Sequence, residues 1–129
     1  MHGWAWALPV AALALLGGGC RRVAPVRDVD VTCRVEPSPP RMGKARVFVT
    51  LTHQTPPGPV AGARVTVEGT MTHPGMTPVF GSAVEEQPGE YEAPLTLTMG
   101  GDWVLIVTAR LPDGRRLRRE VPLPAVKGS

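Results

Sequence analysis

The sequence predicts an all-β protein, a small antiparallel β-sandwich of six to seven strands. Proline and glycine each occur 15 times among the 129 residues, so no long apolar helical pattern is left uninterrupted. Short segments rich in valine and threonine alternate apolar and polar side chains, which is typical of half-buried strands. They recur about every ten residues, and this spacing favours an immunoglobulin-like sandwich.

The N-terminus indicates secretion and a lipid anchor. Trp4–Gly19 is uncharged and mostly apolar, but its 16 residues fall short of the ~20 that a transmembrane helix needs. Cys20 follows three glycines, which resembles a bacterial lipoprotein signal, in which the cysteine becomes the lipidated first residue. No basic residue precedes the apolar stretch, and Leu16 lies one place further from the cysteine than usual. An ordinary signal peptide or an uncleaved anchor therefore remains the alternative.

The rest of the chain is predicted to be one extracytoplasmic domain facing the periplasm or the cell exterior. We expect a signal peptide over residues 1–19, a tether over 20–27, the sandwich over 28–124 and a tail over 125–129. Lipidation of Cys20 would leave Cys33 without a disulfide partner. Its place in an alternating strand then favours a small buried side chain over a metal ligand or a redox thiol.

Charge and aromatic content exclude nucleic acid as a partner. The net charge is only +3, from 14 basic and 11 acidic side chains that are interspersed. Aromatic residues make up 5% of the chain, which provides no platform for stacking bases.

The strand pattern can be followed in order along the chain. Pro94 indicates an edge position or a bulge in the fifth strand, and Gly89-Glu90-Tyr91 resembles the start of a tyrosine-corner strand. Trp103 opens a strand that is apolar on both faces, as a central strand would be. The strands are expected at residues 28–36, 44–53, 63–67, 79–86, 90–98, 102–111 and 115–123, of which the fourth has the weakest pattern.

Strand parity brings the methionines together. In an antiparallel alternation every second loop emerges at the same end, so loops 37–43, 70–78 and 99–101 share the end opposite the tether. These loops contain every methionine of the mature chain and its loop-embedded histidine. The residues are Met42, Met71, His73, Met76 and Met99.

Two interpretations of this group remain open. Thioether sulfur is a soft ligand that suits Cu(I), and imidazole binds copper in either oxidation state, so the group is a candidate copper site. Methionine also fills irregular gaps at the end of a sandwich core, and a solvated His73 needs no metal.

Two longer runs resemble a known family. PVAGARVTVEGTMTHPGMTPV and PGEYEAPLTLTMGGDWVLIVTARLPDG, within residues 59–114, are similar to the YtkA-like/FixH domain family. The resemblance implies an extracytoplasmic immunoglobulin-like domain linked to copper handling and to assembly of haem-copper respiratory oxidases. By position it implies Met71, His73, Met76 and Met99 as ligands. The lipoprotein-like leader departs from the FixH type, which has a transmembrane helix.

The sequence also bears on catalysis, on protein binding and on membrane contact as other candidate functions. No nucleophile, base or carboxylate pair forms a catalytic constellation, so we predict that the protein is not an enzyme. The alternative to copper binding is a non-metal interaction module that contacts an envelope protein. The basic run of Arg115, Arg116, Arg118 and Arg119 most simply covers a solvated strand, although its position near the tether suggests contact with anionic headgroups.

Overall fold

The computed structural model describes Gly3, residues 25–73 and residues 75–128. The predicted signal peptide and the lipidation of Cys20 lie outside these residues. Within them, no helix is long and apolar enough to cross a bilayer. Their strands are β1 (Val29–Glu36), β2 (Gly43–His53), β3 (Gly58–Pro59), β4 (Arg64–Thr70), β5 (Val79–Ser82), β6 (Val84–Gln87), β7 (Glu90–Leu97), β8 (Gly101–Arg110) and β9 (Arg116–Val126).

These strands form two antiparallel sheets that pack face to face. The first sheet has the order β1-β2-β7-β6, with the short β3 paired to the end of β2, and the second has the order β5-β4-β8-β9. These two orders match the orders A-B-E-D and C′-C-F-G of the strands in an immunoglobulin fold. The predicted all-β, immunoglobulin-like sandwich is therefore confirmed.

The predicted fourth strand is divided between the two sheets. β5 pairs with β4 in the second sheet, whereas β6 pairs with β7 in the first, and only Ala83 separates the two segments. Because no turn intervenes, the chain keeps its direction and the parity of the later strands is unchanged. Gly81 permits the crossing, since a Cβ there would lie 2.0 Å from the carbonyl oxygen of Pro94 on β7.

The positions of two strands agree with the sequence pattern. β6 pairs with β7 only as far as Glu92, so Pro94 lies beyond the paired segment, at a local edge. β8 lies between β4 and β9 and is central, as its apolar residues predict. The largest fully buried side chains of the core are Trp103, Tyr91, Leu51, Leu97, Leu105 and Leu117.

The folded unit is longer at both ends than the sequence predicts. Val26, placed in the tether, and Val126, placed in the tail, are both buried in the core. Arg119 on β9 reaches across the open side of the sandwich and donates hydrogen bonds to the carbonyls of Val26 and Val29. The buried core residues among those that the structure describes all lie between Val26 and Val126, and we expect this part of the chain to fold without the leader.

Tyr91 connects β7 to the loop after β3. Its hydroxyl donates to the Val60 carbonyl at 2.7 Å and accepts from the Ala63 N–H at 3.0 Å. A tyrosine corner instead lies on strand F and bonds to backbone a few residues upstream. The tyrosine-corner interpretation was therefore wrong: Tyr91 lies on the counterpart of strand E, and its carbonyl partner is 31 residues away.

Glu85 fixes the same end of the sandwich from β6. Its carboxylate accepts hydrogen bonds from the N–H groups of Gly62 and Gly89, at 3.2 and 3.3 Å. Burial alone would raise the pKa of this carboxyl, but the two backbone donors outweigh it and lower the pKa below its usual value. The acid therefore stays ionised and joins two loops.

We predict that Tyr91→Phe lowers the free energy of unfolding by about 1–3 kcal/mol, because the Val60 carbonyl and the Ala63 N–H lose a buried partner. Urea unfolding of the mature chain measures the change. A difference below about 0.5 kcal/mol, the usual size of a neutral surface substitution, would show that these bonds are replaced by water.

Candidate functional site

The methionine loops do meet at one end of the sandwich, which we call the tip: residues 37–43, 70–73, 75–78, 98–101 and 126–128. The C-terminal segment links them. The Met42 N–H donates to the Lys127 carbonyl at 2.8 Å, and Gly100 is so close to Gly128 that a Cβ on Gly100 would lie 2.7 Å from the Gly128 nitrogen. The sequence pattern missed this segment because Pro122 and Pro124 interrupt the last strand, and residues 125–129 are therefore predicted to be a tail.

Met71 is the first residue after β4, and its side chain is directed into the core. It is 7% exposed, and its Cε lies 2.9 Å from the position that a Cβ on Gly101 would occupy. Gly101 has a φ of 123°, a conformation that favours glycine, so the close approach depends on both residues. Met71 thus closes the end of the core, as the packing interpretation expects.

His73 and Met76 lie at the two ends of one tight turn. The Met76 N–H donates to the His73 carbonyl at 3.5 Å, and Gly75 has the positive φ of 81° that a type II turn requires at this place. The His73 side chain is exposed, whereas Met76 is half-buried against the core. The turn therefore places an imidazole and a thioether three residues apart on the same loop.

Met99 and Met42 are held by their backbones and expose their side chains. The buried indole of Trp103 donates from Nε1 to the Met99 carbonyl at 2.9 Å. The exposed fractions of Met99 and Met42 are 46% and 37%. Both thioethers are thus accessible from solvent at the tip.

Other metal-binding side chains do not gather in the part of the chain that the structure describes. No group of three or more His, Cys, Asp or Glu side chains there is arranged to bind a metal ion. His53 ends β2 at the opposite end, where it pairs with Val29 and Gly58. A metal at the tip would therefore have thioethers and one imidazole as its side-chain ligands.

Cys33 faces the core from β1 and is half-buried. Burial raises the pKa of its thiol to about 11, so the neutral form predominates at physiological pH. A thiolate is the form that binds metals and reacts with oxidants. The environment of Cys33 agrees with the small hydrophobic side chain that the strand pattern favours.

These features define a small immunoglobulin-like domain with an exposed methionine and histidine tip. A family model of YtkA-like domains matches residues 24–108 of the 129, and the chain belongs to the YtkA-like family. The family resemblance seen in the sequence is thereby confirmed.

Two solved structures are similar to this chain at low sequence identity. A DUF4426 family protein from Pseudomonas aeruginosa PAO1 is similar with a TM-score of 0.58 and 14% identity, over 84% of this chain and 99% of that one. Murine CRIg gives a TM-score of 0.42 and 16% identity, over 78% and 98% of the two chains. No curated protein matches the sequence.

We predict that Met71→Ala lowers the free energy of unfolding by about 2–5 kcal/mol, the usual range for a buried methionine. Met99→Ala is the matched control at an exposed site and is expected to change it by less than about 0.5 kcal/mol. Urea unfolding of both variants gives the comparison. Equal effects would contradict the burial of Met71.

Cys33 is expected to react slowly with iodoacetamide at pH 7, because only a very small fraction of its thiol is ionised. The rate should keep rising with pH up to about 11, well above the range of an exposed cysteine. Mass spectrometry of a chain with Cys20→Ser follows Cys33 alone. A rate that levels off near pH 9 would show a thiol with an ordinary pKa.

Proposed function

We propose that this protein is a membrane-tethered, extracytoplasmic copper-binding domain that binds Cu(I) at its tip. The observation that supports it best is the position of the methionines. All four methionines in the described part of the chain, Met42, Met71, Met76 and Met99, belong to the tip, together with His73. The chain enters the sandwich at the other end, so a lipid on Cys20 would leave the tip facing away from the membrane.

The ligands of this site would be His73 and Met76 first, because one turn already places them together. Met99 and Met42 would supply further thioethers from the neighbouring loops. Met71 belongs to the predicted ligand set, but its burial favours a role in positioning the loop. Thioethers and neutral imidazole bind Cu(I) without losing a proton from sulfur, and they resist oxidation better than thiolates.

Membership of the YtkA-like family supports a role in copper delivery. We propose a copper chaperone or accessory factor whose partner is a respiratory oxidase or another copper protein. Exposed thioethers suit this role, since a partner's ligands can approach the metal and replace them one at a time. The proposed function includes no catalysis.

A non-metal interaction module is the second candidate. Phe80 on β5 and Val84 on β6 expose 71% and 63% of their surfaces beside the crossing between the sheets. Large apolar side chains exposed on neighbouring segments are a feature of protein-binding surfaces. In this case the methionines of the tip would only pack the loops against the core. An envelope protein would instead contact the edge formed by β5 and β6.

Copper competition separates the two candidates. The mature chain with Cys20→Ser is titrated under reducing conditions with a chromophoric Cu(I) chelator. We expect the chain to retain Cu(I), and a His73→Asn, Met76→Leu variant to lose at least about tenfold in affinity, because two of the four donors are removed.

His53→Asn is the matched control, since it removes the other histidine at the far end of the domain. It should leave the affinity unchanged. Failure of the unmodified chain to retain Cu(I) would rule out the copper function and favour the interaction module. If the His73→Asn, Met76→Leu variant and the His53→Asn control had equal affinities for Cu(I), the copper site would not be at the tip.

A further inference from the structure

Three arginines form a row across the second sheet. Arg64 on β4 is the cross-strand partner of Arg110 on β8, and Arg110 is in turn the partner of Arg116 on β9. All three are exposed and follow or precede buried residues of the same strands, which places them together on the outer face of the sheet. We call them the arginine row.

The arginine row is distinct from the basic run in the sequence. Arg115 is bound by Asp28 and Asp113, Arg118 pairs with Glu120, and Arg119 donates to backbone carbonyls. Within the part of the chain that the structure describes, Arg116 is the member of that run without such a partner. The neighbouring strand β8 adds Arg110, six residues earlier in the sequence, and β4 adds Arg64, which lies 52 residues from Arg116.

Like charges directly opposite each other destabilise an antiparallel pair, and here two such pairs are adjacent. Among residues 25–73 and 75–128, no carboxylate forms an ion pair with any arginine of the row. Two acids at the same end of the domain are engaged elsewhere: Asp113 binds Arg115, and Glu85 binds the backbone of Gly62 and Gly89. The row therefore presents uncompensated positive charge.

A surface depression of about 290 Å³ lies beside the row, lined by Gly62, Arg64, Arg110 and Leu111. Two arginines in its lining suit a phosphate group, because arginine binds phosphate through paired N–H donors.

The arginine row lies at the end where the chain enters the domain. β4 begins there and β8 ends there, and Arg119, three residues beyond Arg116, holds the carbonyl of Val26. Pro25 follows Cys20 by five positions, which span at most about 18 Å when the chain is fully extended. A lipid on Cys20 would thus keep this end of the domain near the membrane surface.

We infer that the arginine row docks the domain on the headgroups of anionic phospholipids and so directs the tip away from the bilayer. The inference goes beyond the proposed copper function and shares with it only the membrane tether. Basic residues at an anionic bilayer each contribute about 1 kcal/mol within a Debye length of the surface.

Vesicle sedimentation tests this docking with the chain from residue 20 onward, carrying Cys20→Ser so that no lipid is attached. We expect binding to vesicles that contain phosphatidylglycerol and none to phosphatidylcholine vesicles. An Arg64→Gln, Arg110→Gln, Arg116→Gln variant should bind about a hundredfold more weakly. Salt at 1 M should release the unmodified chain, because the Debye length falls to about 3 Å.

The control is an Arg41→Gln, Lys44→Gln, Lys127→Gln variant, whose three exposed cations lie in the tip or, for Lys44, directly beside it on β2. Both triple variants change the formal net charge from +3 to 0, so they differ only in where the charge is lost. The control should bind almost as well as the unmodified chain. Circular dichroism confirms that each variant is folded.

Three outcomes would overturn the docking surface. Equal loss in both triple variants would show that net charge alone drives binding. Equal binding to both kinds of vesicle would exclude headgroup charge. Release by inorganic phosphate, at a constant ionic strength, would indicate a site for a small free anion instead. None of these outcomes affects the copper titration, so the two proposals fail independently.

Discussion

The indole of Trp103 is the contact that joins the core of this protein to its tip. Its ring is buried between the sheets, where it packs against Gly69 on β4 and is 3.3 Å from the position of a Cβ on that residue. Its Nε1–H holds the carbonyl of Met99 outside the core. A single side chain thus fixes both the spacing of the strands and the backbone of one methionine loop. The nearby contact of Met71 with Gly101 closes the core beneath the same loops.

The sandwich separates two chemically different ends. β8 has ten residues and is therefore about 33 Å long, and it runs from the methionine tip to the arginine row. Thioether sulfur is concentrated at one end, and the arginine row lies at the other. A cation bound at the tip is thus kept away from the arginine row, whose repulsion is screened over about 8 Å at physiological salt. In the proposed function this distance also places the metal beyond the lipid headgroups.

The sequence predicts those features that depend on local periodicity. Alternating residues identify the strands, and strand parity correctly assigns the methionine loops to one end. The division of residues 79–86 could not be predicted, because it depends on the glycine that lets β5 pass over Pro94. The arginine row was missed for a similar reason. Arg64 and Arg110 are 46 residues apart, and only the register of β4 with β8 brings them side by side.

The alternating pattern also predicts nothing inside the loops, although the loop conformations determine which methionines of the tip are exposed. Met71 and Met76 are the same type of residue in the same predicted loop, yet the first is buried and the second only half-buried. The difference arises because Met71 directly continues β4 and follows its inward alternation, whereas Met76 lies beyond the Gly75 turn. One methionine is thus committed to the core by the strand that precedes it, and the other is placed by the turn.

In the proposed function, the combination of fixed loop backbones and exposed side chains favours a site that can both bind and release a metal. The backbones of the residues with exposed donors are fixed by the turn at Gly75, by Trp103 and by the C-terminal segment. Fixed backbones reduce the conformational entropy lost on binding, which favours affinity. The side chains of Met42 and Met99 keep their rotatable bonds and stay open to solvent, so an incoming ligand can replace them without unfolding the loops. A fully buried site would bind more rigidly but would have to open before it could deliver its metal.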